Sequence, residues 1–137
     1  MNQKKAVVTG LILSVVFVAL EFFVHGKLLS GIYHQTASVW RSEAEMKNVF
    51  WLMTVGQIFF GVFAGLIFAK GYEPRRAPLG QGIRFGLYMG FMLAPMNSLA
   101  WYVILPIPPV LAIYWLASGF VEMLVLGVVA SFIYKPA

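Results

Sequence analysis

Four stretches of the chain are apolar for long enough to cross a bilayer: residues 6–24, 49–69, 82–105 and 110–134. A helix needs about 20 such residues to span the hydrocarbon. The segment between the first two stretches has a different pattern. Leu28, Ile32, Thr36 and Trp40 recur every four residues, with Leu29, Tyr33 and Ala37 in the adjacent row. Lys27, His34, Gln35, Ser38 and Arg41 fall elsewhere on the wheel. The pattern predicts a short external amphipathic helix over residues 26–41, bent near Gly31, read first as a connector lying flat in the interface and alternatively as a lid over a cavity in the bundle. Tyr33 and His34 are read as surface residues of that helix.

Local signals place the ends of the spans. Ser42-Glu43-Ala44-Glu45 is a capping box, so the second helix starts near Glu43 and covers residues 43–69. Its two glutamates sit in the first turn, where the helix dipole favours negative charge. Residues 70–78 are rich in glycine, proline and charge and form a loop. Pro106, Pro108 and Pro109 force a tight turn between the last two helices. The expected fold is an all-α membrane protein: one transmembrane domain over residues 1–137, with four helices in a compact bundle.

Composition supports this class. The chain is 61% hydrophobic and 11% charged, against about 45–50% and about 25% in soluble domains. A disordered chain and an ordinary soluble enzyme are excluded. There is no cysteine, which removes disulfides, zinc–thiolate sites and iron–sulfur clusters. Lys4 and Lys5 ahead of the first span imitate a signal peptide, but the apolar run exceeds the usual about 7–15 residues. It is read as a permanent helix.

The net charge of +5 is a topology signal rather than a nucleic-acid footprint. Lys4, Lys5, Lys70, Arg75, Arg76, Arg84 and Lys135 fall on one side of the spans, seven of the ten basic residues, and Lys27, Arg41 and Lys47 on the other. Both termini are therefore expected in the cytoplasm of a bacterial cell, in a multi-pass protein of the inner membrane. Cysteine introduced at Ser38 should react with an impermeant thiol reagent in whole cells, and cysteine at Ala77 should not. The reverse labelling would invert the topology.

Helices in lipid associate through close packing, which small residues permit. Gly86, Gly90 and Ala94 line one face of the third helix, Gly61 and Gly65 the second, and Gly127 and Ser131 the fourth. Helical phase puts Asn97 on the glycine face of the third helix and Gln57 on that of the second. Glu21 shares a stripe with Ser14 and His25, and Glu122 with Tyr114 and Ser118. Glu21, His25, Gln57, Asn97 and Glu122 are thus expected to meet in one interior polar site. An ionised group at mid-bilayer costs at least about 2.5–3.5 kcal/mol. A carboxyl escapes that cost by staying protonated, and Glu122 could then hydrogen-bond Gln57 or Asn97 as interhelical glue.

Intramembrane ionisable residues mark paths for protons, cations and small ligands, which makes binding or conduction of such a species the first functional reading. The alternative is a non-catalytic accessory subunit of a larger membrane complex. Homo-oligomerisation fits either reading, since four helices are few for a transporter. Glu21-x-x-x-His25 puts a carboxylate and an imidazole on one face, to which Glu122 could add a third ligand. The ferritin-like pattern nevertheless requires more carboxylates and a Glu-x-x-His on each of two helices. No zinc-protease, serine-elbow, Walker or Rossmann motif occurs. No metal ligand, cofactor or catalytic residue is therefore assigned from the sequence.

Glu21-x-x-x-His25-Gly26-x-Leu28-Leu29-x-x-x-Tyr33, with Pro106, Pro108 and Pro109 before Trp115 and Glu122, resembles a family of small bacterial inner-membrane proteins with four helices. The likeness covers most of the chain. It implies the same architecture and marks Glu21, His25, Gly26 and Glu122 as positions to test. It implies no substrate.

Overall fold

A computed structural model describes residues 1–135. It contains helices and no strands among the described residues. The spanning helices are α1 (Gln3–Phe23), α3 (Glu43–Lys70), α4 (Pro78–Ile104) and α5 (Pro109–Ile133), with the short α2 (Ser30–Gln35) between α1 and α3. All four long helices are apolar enough to cross a membrane, α1 together with the turn that continues it to Leu28. Large apolar side chains such as Val15, Phe22, Phe59, Phe91, Val103 and Phe132 face outward. A contiguous apolar belt of this kind is unusual on a soluble monomer and is what lipid covers. The chain is a small polytopic membrane protein.

The helix ends follow the local chemistry. Ser42 Oγ accepts from the Glu45 backbone N–H, and the Glu45 carboxylate accepts from the Ser42 backbone N–H, so the capping box closes α3 in both directions. Pro78 and Pro109 open α4 and α5, where a missing N–H costs nothing. Gln81 ties the preceding loop to α4: its amide donates to the carbonyls of Glu73 and Arg76, and its carbonyl accepts from the Glu73 N–H.

The helices form two antiparallel pairs, α1 with α3 and α4 with α5, joined where α1 packs on α5. Backbone approach sets both pairs. A Cβ on Gly10 would lie 2.6 Å from the Val62 Cα, and one on Gly65 would lie 2.6 Å from the Gly10 Cα. Ser14 secures the same crossing by donating to the carbonyls of Gly10 and Ile58, at 3.0 and 3.1 Å. In the other pair, a Cβ on Gly86 would lie 2.7 Å from the Leu124 Cα, while Gly82 and Gly127 pack backbone to backbone. Ser98 donates across that pair to the Ala112 carbonyl. Near the chain ends, the buried Tyr134 hydroxyl accepts from the Asn2 N–H, and the Lys5 ammonium donates to the Lys135 carbonyl.

Two features depart from the sequence reading. The segment after α1 is not one continuous amphipathic helix. Residues Val24–Leu28 form a π-helical turn, closed by the Leu29 N–H donating to the Val24 carbonyl, and α2 and a 3-10 turn (Ala37–Val39) follow. The segment folds over the end of α5. Leu29 is buried with Val24, Ile107, Leu111 and Ala112, and Tyr33, Trp40 and Trp115 pack around them. Because the chain turns toward α5 after Phe23, the first half of α3 has no neighbour, and Val49, Phe50, Trp51, Leu52 and Met53 are all exposed.

Candidate functional site

The α1–α5 junction carries the polar centre of the molecule. Glu21 and His25 lie one turn apart on the end of α1, with Glu21 Oε1 and His25 Nε2 3.7 Å apart. Glu122 faces them from α5. One donor atom from each of the three residues lies within 4.8 Å of the others. Their surroundings are unequal. Glu122 is 4% exposed, whereas the side chains of His25 and Glu21 are 34% and 23% exposed. The cluster therefore has a closed base and an open flank.

Glu122 Oε1 is buried with no hydrogen-bond donor to it among the described residues. Leaving a buried polar atom unsatisfied costs about 1–3 kcal/mol. The separation of Glu21 Oε1 and His25 Nε2 is also too long for a hydrogen bond. Glu21 and His25 thus lie close without bonding each other, while the carboxyls of Glu21 and Glu122 are near enough to interact directly.

The aromatic residues above them hold the imidazole. His25 Nδ1 lies 2.5 Å from the Tyr33 hydroxyl, and the Trp115 indole N–H donates to that same hydroxyl at 2.7 Å. The indole can only donate, so it takes one lone pair of the phenol oxygen. The oxygen keeps a second lone pair and a proton. It can donate to Nδ1, or it can accept a proton held on Nδ1 and leave Nε2 with a free lone pair. Burial pushes the Tyr33 phenol up to about 12, with the indole bond opposing and the charges of Glu21 and Glu122 adding to the rise. It remains a neutral hydroxyl at physiological pH. Tyr33 stacks on His25 and meets Trp40 edge-on, and Trp40 leans on Trp115. Trp40 is fixed in turn by its indole N–H, which donates to Thr36 Oγ1.

Of the five residues expected to meet, Glu21, His25 and Glu122 come together and two do not join them. Gln57 is buried on the face of α3 that packs against α1, one turn from Gly61, and forms no hydrogen bond with the three. Asn97 is exposed on α4, which packs on α5 by the face carrying Gly86, Gly90, Ala94 and Ser98. Asn97 departs from the shared site because it lies on the exposed side of α4, away from the face that packs on α5.

Tyr33 is the largest gain over the sequence reading. It is a partner of His25 rather than a surface residue of a connector. Trp115 and Trp40 complete its setting. The signal available in sequence was a cluster of polar-tipped aromatics near an ionisable pair, with Trp115 and Glu122 seven apart on one helix face. His34 is exposed and takes no part. The π turn that contains His25 is itself notable, since such turns are rare and concentrate at functional sites. No protein-family model matches the chain, and no similar curated protein or solved structure was found.

Proposed function

We propose that this membrane protein binds a cation at the cluster of Glu21, His25 and Glu122. The observation that carries this reading is the buried, partnerless Glu122 Oε1, set against a second carboxylate and an imidazole within 4.8 Å. A cation between them supplies the partner that Glu122 Oε1 lacks and offsets the repulsion between the two carboxylates. The open flank at His25 and Glu21 gives it access.

Thermal unfolding of the purified protein in detergent, after chelator treatment, tests this with a panel of alkali, alkaline-earth and transition-metal chlorides. A cation present at 100 times its dissociation constant stabilises the folded state by about 2.7 kcal/mol. At least one ion should raise the melting temperature of the wild type and leave Glu122→Gln and His25→Ala unmoved. No response to any ion, or an equal response in the variants, would overturn the reading.

The first half of α3 favours a second reading, a subunit of a larger membrane complex. Its Phe50, Trp51 and Leu52 are exposed around the helix and leave apolar surface for a partner. Native mass spectrometry of the protein extracted from its own membrane decides this: a monomer removes the subunit reading.

A further inference from the structure

Which cation the cluster takes follows from its donor atoms, and the answer rests on the cation-binding reading itself. We propose that it is a divalent first-row transition-metal ion of the zinc type. One carboxylate oxygen each from Glu21 and Glu122 and Nε2 of His25 hold it, and Tyr33 and Trp115 set the imidazole for that task.

Three arguments converge on this class. The first is donor chemistry. Sodium, magnesium and calcium take oxygen ligands, whereas an imidazole nitrogen suits zinc, iron, nickel, cobalt and copper. The absence of cysteine removes the thiolates that draw softer ions. The second is charge. Two carboxylates and a neutral imidazole carry two negative charges, which a divalent ion cancels. A monovalent ion would leave one net charge at a base where Glu122 is 4% exposed, and burying an uncompensated charge is costly.

The third argument is geometric. Zinc holds nitrogen and oxygen ligands at about 2.0–2.2 Å, which puts neighbouring donors of a tetrahedral site about 3.4 Å apart. Glu21 Oε1 and His25 Nε2 are already 3.7 Å apart, and no pair among the three exceeds 4.8 Å. Rotation of the two flexible glutamate side chains closes that difference without moving the helices. Three protein ligands leave a fourth position open, as in exchanging or reactive sites rather than closed structural ones.

The imidazole is arranged as metal ligands require. A ligating histidine donates its other ring N–H to a fixed acceptor, which sets both tautomer and ring orientation. Tyr33 provides that acceptor at His25 Nδ1, and the Trp115 indole holds the phenol oxygen in place from the other side. With both N–H groups donating to it, the hydroxyl leaves the Nε2 lone pair directed at the carboxylates. Tyr33 is thus a positioning residue for the metal, not a ligand.

Cobalt(II), whose visible absorption reports coordination, is the probe. Chelator-treated full-length protein in detergent is titrated with cobalt chloride, and zinc affinity is then measured by competition with a chromophoric chelator. The expected result is a saturating cobalt spectrum, displaced by zinc, that Glu122→Gln and His25→Gln abolish. Tyr33→Phe should weaken zinc binding about 10–100-fold and change the cobalt spectrum, in addition to any fall in melting temperature in chelator from the lost Trp115 bond. A merely structural tyrosine would move the melting temperature and leave the spectrum alone. Stabilisation by sodium, magnesium or calcium that depends on Glu122, without cobalt or zinc binding, would overturn the transition-metal assignment and leave the cation reading standing. Failure of every ion would overturn both.

Discussion

A leucine at Gly127 is expected to abolish packing of α4 on α5. A Cβ at this position would fall on the Gly82 carbonyl oxygen and lie 2.8 Å from the Gly86 backbone nitrogen. These are backbone atoms of the facing helix, which cannot rotate aside as a side chain would. The only relief is separation of the two helices. In lipid no hydrophobic drive holds them together once close contact is lost, and the Ser98 bond to the Ala112 carbonyl at the other end of the pair is lost with it. Overpacking ordinarily costs about 1–3 kcal/mol, so Gly127→Ala should reach the upper end of that range and Gly127→Leu should exceed it. Unfolding by sodium dodecyl sulfate in mixed micelles measures both. Gly56 in α3 is the control, because nothing lies within 4 Å of a Cβ built there. Gly56→Ala should raise stability by up to about 1 kcal/mol through helix propensity alone. Wild-type stability in Gly127→Leu would contradict the close crossing.

Glu122→Met should stabilise the protein when chelator is present. The sequence reading supposes a hydrogen-bond partner at Gln57 or Asn97, and on that supposition an apolar replacement costs stability. The structure reverses the sign. Asn97 is exposed on the far helix, Gln57 forms no bond to the carboxyl, and Oε1 is unsatisfied. Methionine has similar length and flexibility, fills the same space and removes the desolvation cost of about 1–3 kcal/mol. The expected result is a higher unfolding midpoint in chelator by that order, together with loss of the cation response. A residue that lowers stability yet completes a site matches the general trade between stability and function. A lower midpoint for Glu122→Met would mean that the carboxyl acts as interhelical glue.

The four spanning helices were legible because their signal is local. Apolar length and flanking turn residues do not depend on what a helix packs against, and the capping box at Ser42 and Glu45 is complete within four residues. The Glu21–His25 pair was legible for the same reason, being one turn of a single helix. The setting of Tyr33 was not. A helical wheel over residues 26–41 assumes constant phase, and the π turn at Val24–Leu28 and the end of α2 at Gln35 both break it. The contact that matters, from Trp115 to Tyr33, joins residues 82 apart. Asn97 failed for a related reason. Helical phase gives the face of a residue but not which face its neighbours cover, and the side of α4 that carries Asn97 is exposed.

The route of the chain through the α1–α5 junction has a consequence for biogenesis. Glu21 and His25, at the end of α1 and in the turn after it, are made before α3 and α4, and Glu122 on α5 after them. A nascent chain that has delivered α1, α3 and α4 to the bilayer still carries a half-built polar centre, which only the docking of α5 encloses. Tyr33 is synthesised early but finds its indole partner only at that final step. Maturation of the centre therefore waits for the docking of α5, and metal acquisition would follow that step rather than precede it.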